Sequence, residues 1–386
     1  MKSTLFISAL LATTLSFASC NSSTAKPANN IPTEKPKPSE NNKIQVALLL
    51  DTSNSMDGLI DQAKSRLWNI VNTLTTLKYS GKTPDIEIAL YEYGNDGLAQ
   101  QSNYIRQVTP LTTDLDLISE KLFALRTNGG NEYCGAVIQD ATKKLQWGKA
   151  NDNMKLIYIA GNEAFDQGKI NYKEAISDAM KNDIYVNTIF CGSSLEGINT
   201  FWKDGADYGK GKYFNIDSNQ SIQYVSTPYD DQISNCNVRI NNTYIGYGSK
   251  GISKKMNQEV QDKNARGVSS ANYAERAVSK SKAIYKNENW DLVDRVKQDP
   301  KAITKIKKEE LPAEFQNKSE AEVEKIVAQK TKEREAIQKE IGELGKKRQQ
   351  YIDTETKKTK SQDDLGKAIN TSIVALAKAK GYIVEK

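Results

Sequence analysis

The residues best suited to chemistry are a run of oxygen-bearing side chains that directly follows an apolar segment. Lys43 to Leu50 has the composition of a buried strand, and the next residues are Asp51-Thr52-Ser53-Asn54-Ser55-Met56. Carboxylate and hydroxyl oxygens alternating on one tight loop can face a hard cation such as Mg²⁺, which prefers oxygen ligands. Ligands bind beyond the carboxyl ends of parallel strands, so this run predicts a binding site at a sheet edge.

Short apolar runs alternate with amphipathic segments from residue 43 onward, which indicates a mostly parallel sheet with helices on both faces. We predict an α/β, Rossmann-like domain over residues 43–236. The predicted strands are 43–50, 85–93, 103–108, 154–160, 184–190 and 212–216, and the last helix is predicted over 218–236.

The Asp-x-Ser-x-Ser run resembles the first metal-binding motif of the von Willebrand factor type A (vWA) family. The resemblance implies that Ser53 and Ser55 bind a divalent cation directly and that Asp51 holds a water bound to the ion. It also implies that a carboxylate from a protein partner fills the open coordination position. The expected ion is Mg²⁺ or another divalent cation.

The family's other two motifs are altered in this chain. Gly129-Gly130-Asn131 stands where the family has Gly-Gly-Thr, which places Asn131 at the position of the threonine ligand. Gly161 stands where the family has an aspartate. Glu132 and Glu163 lie on the same two loops, so we name them as candidate replacement ligands.

A structural role for the same run is the alternative. Ser55 or Asp57 can cap the N-terminus of the following helix, and the Ser53 hydroxyl can bond backbone amides. In that case the motif stabilises a loop and binds no ion.

The N-terminus has the pattern of a secretory signal. Met1-Lys2-Ser3 precedes an apolar stretch that ends near Phe17, followed by Ala18-Ser19-Cys20. Phe17 to Cys20 resembles the bacterial lipobox, although leucine is usual at the Phe17 position, and the resemblance implies that Cys20 is lipidated. Residues 21–42 are polar and form a predicted tether. We expect a lipid-anchored envelope protein on the periplasmic face of the outer membrane; an ordinary secreted protein is the alternative.

Three further cysteines, at positions 134, 191 and 236, are an odd number for an oxidising compartment. Cys134 and Cys191 both lie near the same predicted rim of the sheet, so we predict a disulfide between them. It would join the loop before one helix to the end of a neighbouring strand.

Composition excludes several classes of function. The chain has no histidine, which removes Ser-His-Asp and Cys-His catalysis and every His-ligated metal centre. The net charge of +6 is spread along the chain, so we expect no nucleic-acid partner.

The C-terminal part is predicted to be helical, with a connector over 237–300 and a coiled-coil-like region over 301–386. A seam steps by alternating fours and threes through Val323, Val327, Lys330, Arg334, Ile337, Ile341, Leu344, Arg348 and Tyr351. We predict that this helix folds back on the segment 365–379 as a hairpin; self-association as a dimeric coiled coil is the alternative.

These features predict a binding or scaffold module, not an enzyme, that recognises a protein partner through the rim of its vWA-like domain. One alternative is a metal-assisted hydrolase of the cell envelope using Asp51, Glu132 and Glu163. The other is a purely structural envelope protein with a degenerate metal site.

Overall fold

A six-stranded sheet positions the loops that carry the predicted site. We describe it from a computed structural model, which covers residues 42–358 and 364–385; the predicted signal, Cys20 and most of the tether lie outside these residues. The strands, in chain order, are β1 (Lys43–Asp51), β2 (Leu77–Lys78), β3 (Asp85–Tyr93), β4 (Ile105–Thr112), β5 (Met154–Gly161), β6 (Ile184–Cys191), β7 (Lys210–Ile216) and β8 (Ile383–Val384). The sheet order is β4-β3-β1-β5-β6-β7, with all neighbours parallel except β3 and β4.

The central strand β1 is apolar on both faces because both are covered by helices. Ile44, Val46 and Leu48 pack into the core on one face, and Ala47 and Leu49 pack into the core on the other. The predicted fold class, a mostly parallel α/β sheet followed by a helical region, is confirmed.

Six helices accompany these strands: α1 (Asp57–Thr75), α2 (Leu115–Ala124), α3 (Cys134–Lys144), α4 (Tyr172–Lys181), α5 (Ser194–Asn199) and α6 (Trp202–Tyr208). Helices α1 and α2 contribute to the core on the Ile44 face, whereas α3 and α4 contribute to the core on the Ala47 face. Side chains fix three of the starting points: Asp114 accepts the backbone N–H of Leu117, Asn171 accepts that of Lys173, and Ser193 accepts that of Glu196.

The chain then forms a long helical segment before it returns to the sheet. Its helices are α7 (Asp230–Asn241), α8 (Gly251–Val268), α9 (Ser270–Lys280), α10 (Leu292–Gln298), α11 (Ala302–Lys305), α12 (Ala313–Gln316), α13 (Glu320–Lys358) and α14 (Leu365–Ala379). None of the helices within residues 42–358 and 364–385 combines the length and hydropathy needed to cross a bilayer.

The predicted helix over 218–236 is wrong in its first half. Residues 217–229 contain no regular helix, and α7 begins only at Asp230, so the predicted domain boundary at residue 236 falls inside a helix. Pro228 explains the late start, because the residue before a proline avoids the helical conformation. The Asp230 carboxylate also accepts the backbone N–H of Thr227 at 2.9 Å, which fixes the turn into the helix.

The last helix, α14, packs on the sheet, and the predicted hairpin with α13 is wrong. Leu365 and Ile369 belong to the same core as Leu48, and the Ser372 hydroxyl hydrogen-bonds the Tyr158 hydroxyl of β5 at 2.6 Å. Strand β8 then pairs antiparallel with β2. The helical segment from α7 to α13 is therefore an insertion between β7 and the final helix of the sheet domain.

The seam of α13 lies against the other inserted helices, chiefly α7 and α10. Two of its basic interruptions are buried and paired there. Arg334 Nη1 lies 2.6 Å from Asp291 Oδ2 and 2.7 Å from Asp294 Oδ1, and Arg348 Nε lies 2.7 Å from Asp230 Oδ1. The basic residues that break the heptad pattern thus specify docking within one chain.

A buried ionic cluster joins the insertion to the sheet domain. Arg276 of α9 is fully buried, and its guanidinium lies 2.7 Å from Asp116 Oδ1 of α2 and 2.6 Å from Asp262 Oδ1 of α8. It also stacks over the Trp68 ring of α1 at 4.6 Å. Lys280 Nζ adds a second cation 3.1 Å from Asp262. One arginine therefore contacts side chains from three other helices.

We predict that Arg276→Met lowers the free energy of unfolding by about 3–5 kcal/mol, because Asp116 loses its guanidinium partner in the core. Urea denaturation of the purified protein measures this. The matched control is Arg239→Met, whose exposed pair with Glu340 is expected to contribute less than about 1 kcal/mol. A loss in Arg276→Met no larger than in the control contradicts the assigned role of this cluster.

Candidate functional site

The carboxyl ends of the parallel strands meet at one edge of the sheet, which we call the rim. It comprises residues 51–57, 94–104, 125–133, 162–171, 192–201 and 217–229. Backbone hydrogen bonds hold neighbouring loops together: Asn128 N–H donates to the Thr52 carbonyl at 2.9 Å, and Asp96 N–H donates to the Gly129 carbonyl. The loops after β1, β3 and α2 are thus fixed relative to one another.

Asp51 forms the floor of the site. It ends β1 and is fully buried, and its Oδ1 accepts the backbone N–H of Ser53 at 2.7 Å. Its Oδ2 is also buried and has no hydrogen-bond partner among the described residues. The Ser53 and Ser55 hydroxyl oxygens lie 3.4 Å apart above it.

Glu132, and not Asn131, is the inward-facing residue of the second motif. Asn131 is exposed, whereas Glu132 is buried and its carboxyl interacts with the side chains of Asp51 and Ser53. Gly94 makes this approach possible: a Cβ there would lie 2.8 Å from both Asp51 Oδ1 and Glu132 Cγ. The structure therefore brings the predicted residue Glu132 into the site and leaves Asn131 outside it.

Glu163 contributes its backbone to the site. Its N–H donates to Glu132 Oε2 at 3.3 Å, while its exposed carboxylate accepts a hydrogen bond from Gln167 Nε2 at 3.1 Å. The neighbouring Asn162 was not anticipated from the sequence, but its Oδ1 accepts a hydrogen bond from the Ser55 hydroxyl at 3.5 Å. Its position directly after the third-motif Gly161 is the signal that could have identified it.

The space that an aspartate at position 161 would need is taken by Tyr93. The Tyr93 hydroxyl donates to the Ala160 carbonyl at 3.0 Å, and a Cβ on Gly161 would lie 2.4 Å from that hydroxyl and 3.1 Å from Asp51 Oδ2. The glycine in the altered third motif thus leaves room for the Tyr93 hydroxyl of β3. Glu132 supplies a carboxylate in place of the missing aspartate.

The site concentrates negative charge in a buried position. Burial, followed by the neighbouring Glu132, raises the pKa of Asp51 well above its usual range. Burial also raises the pKa of Glu132, although its interactions with the side chains of Asp51 and Ser53 oppose the shift. Neither carboxyl forms an ion pair with a described residue. The pair is stable only with a proton or a cation to offset its charge.

The donor atoms suit a hard cation. Asp51, Glu132, Ser53, Ser55 and Asn162 offer only oxygen, the ligand that Mg²⁺ and Ca²⁺ prefer. Within the described ranges, no three histidine, cysteine, aspartate or glutamate residues converge as a metal cluster. A metal site here therefore depends on hydroxyl and amide oxygens as well as carboxylates. The buried Asp51 Oδ2, which has no hydrogen-bond partner among the described residues, is one oxygen available to bind the ion.

The capping alternative does not describe this loop. Met56 is the residue that precedes α1, and Ser53 precedes the short 3₁₀ turn over Asn54–Met56. The predicted capping residues Ser55 and Asp57 instead bond Asn162 and Thr127, and Ser53 makes no side-chain hydrogen bond to the helix. The two serine hydroxyls are therefore directed to each other and to the rim.

The predicted disulfide between Cys134 and Cys191 is wrong in this structure, where both thiols are free and buried. Cys134 packs into the core on one face of the sheet and Cys191 into the core on the other. Both lie near the rim, but the sheet separates their side chains. Cys134 Sγ instead lies 3.9 Å from the Tyr93 hydroxyl.

Residues 45–227 match the sequence profile of the von Willebrand factor type A domain. With the mostly parallel sheet and its flanking helices, this match identifies that part of the chain as a vWA domain. A search among curated proteins gives no match.

Several solved structures are similar. A proximal thread matrix protein from the mussel byssus, solved with zinc in its MIDAS metal-site motif, is 14% identical over 45% of this chain, with a TM-score of 0.34. This chain spans only 42% of the mussel protein's length. An aerotolerance-related membrane protein from Bacteroides fragilis is 17% identical over 46% of this chain and 93% of its own, with a TM-score of 0.32. The vWA domain of SpRpn10 is 16% identical over 45% of this chain and 87% of its own, with a TM-score of 0.34.

We predict that Gly161→Ala lowers the free energy of unfolding by about 1–3 kcal/mol, because its Cβ overlaps the Tyr93 hydroxyl. The same substitution in a Tyr93→Phe background is expected to be less damaging, since the clashing oxygen is gone. Urea denaturation of the four proteins measures both effects. Gly342→Ala on α13, where no atom lies within 4 Å of the added Cβ, is the matched control. Equal penalties in both backgrounds contradict this explanation of the third motif.

Proposed function

We propose that this protein is a binding module of the bacterial envelope that holds a divalent cation at the rim and recognises a protein partner there. The observation that carries the proposal is the buried carboxyl pair Asp51 and Glu132, with one oxygen of Asp51 unpartnered below the hydroxyls of the buried Ser53 and the exposed Ser55. vWA domains commonly mediate contacts between proteins and often carry a cation at this position.

The roles of the residues follow from their depth. Asp51 and Glu132 neutralise the ion's charge from below, and Ser53 and Ser55 offer neutral oxygens at its outer side. Asn162 and the backbone N–H of Glu163 fix the orientation of Ser55 and Glu132. A bound divalent cation would supply positive charge at the centre of the rim, where a partner's oxygen can reach it.

A binding role is favoured over the hydrolase that the sequence also allowed. That reaction would need one of the three carboxylates Asp51, Glu132 and Glu163 to act as general base at the ion. The Glu163 side chain instead bonds to Gln167 on the exposed side of its loop. The remaining carboxyls, Asp51 and Glu132, are buried against each other and serve better as ligands.

The lipid anchor and the envelope location in this proposal are inferred from the sequence alone. Lipidation at Cys20 would hold the protein at the membrane, with the polar segment 21–42 as its tether. An outer-membrane position facing the periplasm is the placement that we propose. Because the α13 seam is used within the chain, we place the partner contact on the rim and not on the helical tail.

We predict that calorimetric titration of residues 43–386 with Mg²⁺, Mn²⁺ and Ca²⁺ detects binding of at least one ion. Ser53→Ala with Ser55→Ala, and separately Glu132→Gln, are expected to weaken it by at least about tenfold, because each removes ligand oxygens or charge. Glu163→Ala is the matched control and should stay within about twofold. Absence of binding to the unchanged protein contradicts the ion site, and equal loss in Glu163→Ala contradicts its assigned geometry.

A photo-reactive residue placed at exposed Asn54 is predicted to cross-link a discrete protein partner in intact bacteria, and a chelator should reduce the yield. The same residue at exposed Tyr351 on α13 is the control. Products that form only from position 351 would move the binding surface to the helical segment and contradict the proposal.

A further inference from the structure

A patch of apolar side chains lies on the rim beside the candidate ion site. Leu195, Ile198 and Phe201 are 68%, 44% and 43% exposed, and we call these three residues the apolar patch. They lie on α5 and on the turn that follows it. A contiguous exposed apolar surface flanked by polar residues is typical of an interaction site.

Helix α5 turns its large apolar residues toward solvent, the reverse of an ordinary surface helix. Its only buried residue is Gly197, while its leucine and isoleucine face outward. The glycine permits close packing, since a Cβ there would lie 2.3 Å from the Tyr213 hydroxyl and 2.7 Å from Phe190 Cγ. The fold thus presses the small side of the helix onto the sheet and presents the large apolar side chains to solvent.

Phe201 is held in a conformation that suits few side chains. Its φ is +69°, in the left-handed region that favours glycine, and its ring lies 6.4 Å from that of Tyr172. Strained residues of this kind persist where the surrounding structure fixes them and are concentrated at functional sites. This backbone conformation places an aromatic ring at the surface of the rim.

The residues on either side of Phe201 connect its turn to the loop after β5, which carries Glu163. The Trp202 indole N–H donates to the Glu163 carbonyl at 2.7 Å, and Phe165 N–H donates to the Thr200 carbonyl at 2.9 Å. Glu163 in turn bonds Glu132 through its backbone. A partner seated over the ion site can therefore cover the apolar patch as well.

The rim is acidic although the chain as a whole carries a net charge of +6. Its exposed carboxylates are Asp57, Asp96, Glu163, Asp166, Glu196 and Asp217. Its exposed cations are Arg126 and Lys169. None of the six carboxylates forms an ion pair with a described residue, whereas Lys173 and Lys203 on the neighbouring helices pair with Asp204 and Asp207.

From these observations we infer that the rim recognises a cationic protein segment in which lysine or arginine alternates with apolar side chains. This inference rests on the proposed function and names the chemistry of its partner. The apolar residues would cover the apolar patch, while the cations would face the carboxylates around it. A segment that placed several carboxylates against the exposed carboxylates of the rim would be repelled.

The test uses three fluorescein-labelled peptides and the soluble chain in the presence of Mg²⁺. The first alternates lysine with leucine and phenylalanine, the second replaces its lysines by glutamate, and the third replaces its apolar residues by serine. Fluorescence anisotropy is expected to give at least about tenfold tighter binding of the first peptide than of either other peptide. Affinity should fall when the salt is raised, as contacts between exposed charges do.

Two rim variants and two matched controls locate the contact. The first rim variant combines Leu195→Ser with Ile198→Ser, and the second combines Asp96→Asn, Asp166→Asn and Glu196→Gln. Each is expected to weaken binding of the first peptide by about fivefold or more. The controls are Ile252→Ser with Met256→Ser, exposed on α8, and Glu259→Gln with Glu314→Gln and Glu324→Gln; they should stay within about twofold.

Equal binding of the first two peptides, tighter binding of the glutamate peptide, or equal losses in rim and control variants would overturn the inference. None of these outcomes affects the proposed function, which falls instead if the ion titration or the cross-linking from position 54 fails. The two failures are therefore distinguishable.

Discussion

The burial of Arg276 is the interaction on which the arrangement of the whole molecule depends. Its guanidinium satisfies two aspartates from different helices, Asp116 and Asp262, and stacks on a tryptophan from a third. Removing three charges from water is unfavourable unless the geometry is complete, so the cluster forms only when α1, α2, α8 and α9 are all in place. It therefore selects one docking position for the insertion.

The same device recurs along α13, where Arg334 and Arg348 are buried against carboxylates of the insertion. A purely apolar seam on such a long helix would be compatible with several registers and with a second copy of the chain. Two buried cations, each with its own acidic partner, restrict the helix to one register. Specificity within the insertion thus comes from charge pairs placed inside otherwise apolar contacts.

Much of the sheet was predictable, because β1, β3, β5 and β6 combine apolar runs with intervening helical spacing. The first motif was equally predictable, since Asp51, Ser53 and Ser55 are close in sequence and lie together in the structure. The third motif was not, because its explanation is the Tyr93 hydroxyl, which is distant in sequence and reaches Gly161 only through the strand order. The sequence also could not show that Glu132, and not Asn131, enters the site. The space for the Glu132 side chain is left by Gly94, which lies on another loop.

The disulfide and the hairpin were mispredicted because a sequence pattern does not say which face of a sheet a residue occupies. Cys134 and Cys191 share a rim but lie on opposite faces. The seam of α13 and the apolar face of α14 each looked like half of a helical pair, yet α14 belongs to the sheet. Asp364, the residue before α14, accepts the Lys367 N–H and pairs with Arg66 of α1 at 2.6 Å. These contacts secure α14 to α1.

The position of α14 has a consequence for how the protein is made. The first strand of the sheet domain begins at residue 43, but helix α14 and the strand pairing of Leu77 with Val384 come from residues 365–384, more than 300 residues later. Contacts so far apart in sequence form slowly, because the loop between them must be ordered first. During synthesis or transport the face over Leu48 stays uncovered until residues 365–384 have emerged. A chain cut before residue 365 would therefore present an apolar groove of the kind that proteases and chaperones recognise.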